Sequence, residues 1–116
     1  MEKIFEQALL YDFYGELLTE HQKNIYEAVV FDDMSLSEIA SEQGISRQGV
    51  HDLVKRCDKI LLGYEEKLHL VEKFTDAKKK IGGIVELLDS ASENSENVSE
   101  KLESIKTLSK ELLEDW

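Results

Sequence analysis

Proline is absent from the 116 residues, glycine appears six times and tryptophan once. Little in such a chain interrupts a helix, and little favours the tight turns of a β-sheet. A single cysteine excludes an intrachain disulfide and a thiolate zinc cage, which makes the cytosol the expected compartment. Basic residues are also scarce: 14 Lys and Arg stand against 25 Asp and Glu, a net charge of −11 with an isoelectric point near 4.7. That balance argues against a general polyanion binder. No run approaches the roughly 20 apolar residues of a membrane span, and the opening MEKIFEQALLYDFY carries charges where a secretory signal carries an apolar core. What remains is a composition with 41% hydrophobic residues, enough for one small core. The expected fold class is all-α.

The charge is unevenly spread. Residues 1–35 hold eight acids and two bases, 36–63 four of each, 64–85 four and five, and 86–116 nine and three. Acidity therefore sits at the two ends of the sequence. The apolar series Ile4, Phe5, Ala8, Leu9, Tyr11, Phe13, Leu17 and Leu18, mostly three or four apart, predicts a first helix with one buried stripe. Thr19 with Gln22 three residues on is a capping-box pattern, which starts a second helix near Glu20 that ends around Phe31. Its inward residues are Ile25, Tyr26, Ala28, Val29 and Val30. Ser35 with Glu38 repeats the box and predicts a short helix over Leu36 to Gln43. Gly44 ends it, because glycine enters the left-handed backbone region at little cost, and Ser46 is a good N-cap for the next helix.

From Val50 the apolar positions run on through Cys57, Tyr64, Val71 and Val85 at multiples of seven, a heptad series broken once by Lys78. An unbroken helix over 47–88 would reach about 60 Å, far beyond the ~13 Å radius of gyration of a domain this size. The chain is therefore expected to turn at Gly63 or at Gly82-Gly83, and a second subunit to pack on the stripe. The segment DSASENSEN, 89–97, lacks an apolar stripe and reads as a connector. A last amphipathic helix follows, with Val98, Leu102, Ile105, Leu108, Leu112, Leu113 and Trp116 on its apolar side. The domain expectation is a helical domain over 1–62 containing a helix-turn-helix at 36–57, then an extension over 63–116 that packs back or dimerises.

The stretch LSEIASEQGISRQGVHDLVK, residues 36–55, meets the demanding positions of a helix-turn-helix. Ala40 is small where the two helices cross, Gly44 takes the turn, and Ile39, Ile45, Val50 and Leu53 fill the interior. With Val50, Leu53, Val54 and Cys57 inward, the outer face of the second helix carries Arg47, Gln48, His51, Asp52, Lys55 and Lys59. Arg47, His51, Lys55 and Lys59 lie four apart and line up. Arg47 and Gln48 lead, where a recognition helix reaches base edges first, and Arg to guanine and Gln to adenine are bidentate pairings. Arg56 and Lys59 suit phosphates, and Ser46 adds a backbone-phosphate contact beside the helix amides. The plainer reading of the same face is a solvated helix side on an acidic protein. A Debye length of about 8 Å screens acids at a distance, so the local patch decides.

The segment from ALLYDFYGELLTEHQ through GISRQGVHDLVKRCDKIL to VEKF resembles the YlxM-like family of small bacterial helix-turn-helix proteins over about residues 1–80. LLTEHQ, the acidic DD before SLSEIA, and GISRQGVHDLVKRCDKIL also resemble region 4 of sigma factors, which reads promoter DNA through this hairpin. The resemblance implies DNA contact by Ser46, Arg47, Gln48, His51 and Lys55. It also implies a link to protein targeting, inferred from the placement of such genes beside that of the signal recognition particle GTPase. The tail after about residue 85 is less characteristic.

Other constellations are weaker. Glu66 and His69 have the spacing of a di-metal ligand pair, but the second copy such a site requires is missing. Cys57 falls on the inward stripe and reads as core. Lys78-Lys79-Lys80 reads as a solvated face, and Gly82-Gly83 lacks the lysine and hydroxyl spacing of a phosphate loop. With no paired nucleophile and base, an enzyme is not expected, and no cofactor is implied. Two readings stay open. One is a homodimeric DNA-binding regulator; the other is an adaptor that docks a protein or ribonucleoprotein of the targeting machinery without touching DNA.

Overall fold

The computed structural model describes residues 3–93 and 97–115. Among them every regular element is helical: α1 (Lys3–Tyr14), a 3-10 turn (Gly15–Leu17), α2 (Glu20–Val30), α3 (Leu36–Gln43), α4 (Arg47–Leu68), α5 (Leu70–Glu93) and α6 (Val98–Asp115). The all-α expectation is met. The chain divides into two compact units, Met1–Val71 and Glu72–Trp116.

Local chemistry sets the helix starts of the first unit. Thr19 Oγ1 accepts from the Gln22 N–H at 3.2 Å while Gln22 Oε1 accepts from the Thr19 N–H at 2.9 Å, the reciprocal box that starts α2. Ser35 Oγ accepts from the Glu38 N–H at 3.1 Å to start α3. Gly44 closes α3 at φ 68° and ψ 31°, its N–H donating to the Ala40 carbonyl. A side chain in that left-handed region would cost about 1 kcal/mol or more.

The core of this unit is two apolar clusters that share α4 as a wall. Leu10, Tyr14, Leu18, Tyr26, Cys57 and Leu61 form one, and Ile25, Ile39, Ala40 and Val50 the other, with Leu53 and Val54 packed against both. The buried face of α1 is not the one the apolar count predicts. Leu10 and Tyr14 are buried, whereas Ile4, Phe5 and Leu17 are more than half exposed. Tyrosine displaces the aliphatic positions because its hydroxyl finds a partner inside: Tyr14 O–H donates to Glu65 Oε1 at 2.6 Å. Two more tyrosines do the same, Tyr26 to Asp58 Oδ1 at 2.6 Å and Tyr11 to Glu27 Oε1 at 2.7 Å.

The long heptad helix breaks, but not at a glycine. Gly63, Gly82 and Gly83 are all helical, and the chain turns at His69, which sits in the left-handed region at φ 56°. The physical reason lies in the partners of the new helix start. Leu70 N–H donates to the Tyr14 hydroxyl at 3.1 Å and Val71 N–H to Glu65 Oε1 at 2.9 Å, so two orphan donors of α5 are met by side chains already in place. These contacts offset the roughly 1–2 kcal/mol that a non-glycine residue gives up in that conformation.

The second unit is a hairpin of α5 and α6. A Cβ at Gly83 would lie 3.4 Å from Leu108 Cδ1, in van der Waals contact with α6. Lys80 Nζ lies 2.8 Å from Asp115 Oδ2, 3.6 Å from Glu111 Oε2 and 3.9 Å from Asp76 Oδ2. The lysine run is thus not uniformly solvated. Lys80 clamps α6, and Lys78 rests 5.7 Å above the Phe74 ring. The expected connector is helical over its first part, since α5 runs to Glu93; residues 94–96, and Trp116 at the chain end, lie outside the described residues. Replacing Tyr14 by Phe removes both the donor to Glu65 and the acceptor of the Leu70 N–H. The variant is expected to lose about 1–3 kcal/mol in urea unfolding, and an unchanged midpoint would show that the junction does not rely on this hydroxyl.

Candidate nucleic-acid interface

Ser46 opens α4 in extended conformation (φ −78°, ψ 159°), and its Oγ accepts from the Gly49 N–H at 2.9 Å. The hydroxyl hydrogen remains available to donate outward. Gly49 suits this cap, because a Cβ there would stand only 3.2 Å from Ser46 Oγ. Beyond the cap, Val50 and Cys57 are fully buried, as is Leu61. Their spacing of seven and four fixes the rotation of α4 about its axis and sends the intervening residues out.

All eight candidate residues, Ser46, Arg47, Gln48, His51, Asp52, Lys55, Arg56 and Lys59, are exposed. Arg47, Gln48 and His51 border a shallow depression together with Leu36 of α3, and Asp52, Lys55, Arg56 and Lys59 border a second one further along α4. Within the described residues Arg47, Lys55, Arg56 and Lys59 make no ion pair. Gln48 and His51 are engaged: Gln48 Nε2 donates to Asp52 Oδ1 at 2.9 Å, and His51 Nδ1 lies 3.6 Å from the same oxygen. Asp52 thereby holds Gln48 and stands beside His51 at the leading end of the helix. Any base contact by Gln48 exchanges this bond.

Spacing along α4 does not reveal the role of Asp58. One of the four acids of residues 36–63, it turns inward, where Tyr26 O–H donates to Oδ1 at 2.6 Å and Gln7 Nε2 donates to Oδ1 and Oδ2 at 3.0 and 3.1 Å. Burial first and then the Asp58 carboxylate push the Tyr26 hydroxyl well above the usual phenol range, so it stays protonated and donates. With Asp58 withdrawn, the outer face from 46 to 59 carries four cations against Asp52 alone. A segment that is neutral by count is locally positive on its outer side. Tyrosines in the flanking helices were the only available hint, since a buried phenol needs an acceptor.

The profile of the family described as "Putative helix-turn-helix protein, YlxM / p13 like" matches residues 1–106. The chain belongs to this family, UPF0122. A UPF0122 protein of Desulforamulus reducens is 42% identical over 114 residues, covering 98% of this chain and 96% of the relative. One of Clostridium kluyveri is 41% identical over 106 residues, with 91% and 94% covered, and one of Bacillus cereus 36% over 108 residues, with 93% and 98%. The family description names the helix-turn-helix that α3, Gly44 and α4 build here. No helix among the described residues of this UPF0122 chain is long and apolar enough to cross a membrane.

Cys57 is fully buried on the inner face of α4, as its place on the inward stripe predicts. Desolvation, with a smaller contribution from Asp58, pushes its thiol up to about 11. The group is protonated and shielded near neutral pH. Alkylation of Cys57 at pH 8 is expected to proceed only through unfolding and to track the urea transition; rapid labelling of the native protein would contradict this burial.

Proposed function

We propose that this UPF0122 chain binds double-stranded DNA by entering the major groove with the leading end of α4. The observation that carries the reading is the row of exposed cations without ion pairs on the outer face of a capped helix whose inner face is locked in the core. In this reading Arg47 reads guanine, and Gln48 reads adenine on release from Asp52. His51 and Lys55 follow along the groove, Arg56 and Lys59 meet phosphates, and Ser46 donates its hydroxyl to a phosphate. Asp52 holds Gln48 in register and disfavours phosphate at its own position. The deep, narrow major groove of A-form RNA would not admit this helix, which favours DNA as the partner.

Two phosphate-directed cations, Arg56 and Lys59, make a weak single head, and a homodimer in the cytoplasm would double the contacts. The family resemblance to proteins linked with the signal recognition particle supplies the competing role, an adaptor of that machinery whose α4 face docks protein. Selection of bound oligonucleotides followed by anisotropy titration separates the two. Arg47→Ala and Gln48→Ala are each expected to lose about 1–3 kcal/mol of discrimination at one base position. Affinity should also fall with salt, with a slope near −0.9 per phosphate neutralised. An unchanged sequence preference together with a flat salt response would overturn the DNA reading in favour of the adaptor.

A further inference from the structure

α5 carries two apolar faces, and only one of them is covered within its hairpin. Gly83, Ile84 and Leu87 are half-buried on the side that meets Leu108 of α6. Ile81, Val85 and Leu88 are 52%, 49% and 51% exposed, and Phe74, seven residues before Ile81, continues the series at 38%. The spacing of four and three from Ile81 through Val85 to Leu88 is that of a helix-packing seam. At 100° per residue this seam lies about a third of a turn from the face toward α6.

α6 repeats the arrangement. Ile105, Leu108 and Leu112 are half-buried, while Leu102 and Leu113 are 56% and 80% exposed about a quarter turn away. Because the two helices run antiparallel and both seams are displaced toward higher residue angle, the seams open on the same side of the hairpin. Within the described residues of α5 and α6 none is fully buried. The hairpin has a surface but no closed core.

We propose that this two-helix face binds a second copy of the chain, forming a four-helix bundle in which the α5 helices pair antiparallel about a two-fold axis midway between Ile81 and Val85. Two observations select that occupant. A 24-residue helix is about 36 Å long and two helices are about 20 Å across, which matches the roughly 800 Å² per partner of a standard interface. Charge along α5 is polarised: Lys78 and Lys79 precede the crossing, and Glu86 and Asp89 follow it. Antiparallel pairing of Ile81 with Val85 of the partner sets Lys78 beside the opposite Asp89, whereas parallel pairing would oppose lysine to lysine. This interface is independent of the α4 surface and does not rest on DNA binding.

Sedimentation equilibrium of the full chain tests it. Twice the 13.3 kDa chain mass is expected at concentrations up to roughly 100 μM, with Ile81→Glu and Val85→Glu each weakening association by about tenfold or more. Asp89→Lys should also weaken it, and adding Lys78→Glu to that chain should restore it. Both substitutions are on exposed sites, and helical content by circular dichroism confirms that the variants fold. A mass of one chain throughout, or of three or more, overturns the proposal, as does a dimer indifferent to both glutamate variants. Failure of Lys78→Glu to rescue Asp89→Lys overturns the antiparallel orientation.

Discussion

The first unit depends on the burial of one helical stripe, Val50, Cys57 and Leu61 on α4. Val50 belongs to the cluster shared with α2 and α3, Cys57 and Leu61 to the cluster shared with α1 and α2. A single rotation of α4 therefore satisfies both halves of the core, and any other would expose one of them. The same rotation aims Arg47, His51, Lys55 and Lys59 outward. Presentation of the candidate interface is thus a by-product of core packing rather than a separate arrangement on a loop, which gives it the rigidity that groove reading requires.

Polar groups refine what apolar packing begins. Three tyrosine hydroxyls reach carboxylates across helix boundaries, and in each the phenol is pushed up, chiefly by burial. Such bonds are directional, so they select one docking of α1 and α2 among the several that apolar contact alone would permit. They also redistribute charge. Asp58 stabilises the interior instead of the surface, and the α4 face becomes positive in a protein that is acidic overall. Net charge is a poor guide to an interface when individual acids are withdrawn from it.

The second unit follows a different logic. Its ion pairs, Lys80 with Asp115 and Glu111, bridge the hairpin at an exposed edge where such pairs contribute little. Its apolar residues stand half-covered. A helix with two seams is suited to a bundle of more than two helices, and the polarised charge of α5 is self-complementary only when the helix meets its own reverse.

Helix starts were legible because the groups involved are three residues apart. Thr19 with Gln22, Ser35 with Glu38, and Ser46 with Gly49 satisfy amides within a single turn, and Gly44 needs only its missing Cβ. The inward face of α4 was legible for the same reason, since heptad spacing is a property of one helix. The buried face of α1, the break at His69 and the withdrawal of Asp58 were not. Tyr14 meets Glu65 across 51 positions of sequence and Tyr26 meets Asp58 across 32. Local periodicity ranks Ile4 and Phe5 above Tyr14, and only the presence of a distant acceptor reverses that order. The starts of α2, α3 and α4 and the outward side of α4 follow from the local chain alone, because they depend on short-range backbone chemistry and spacing. Tertiary structure decided which polar side chains go inside, because a buried hydroxyl or carboxylate is tolerated only where folding brings it a hydrogen-bond partner.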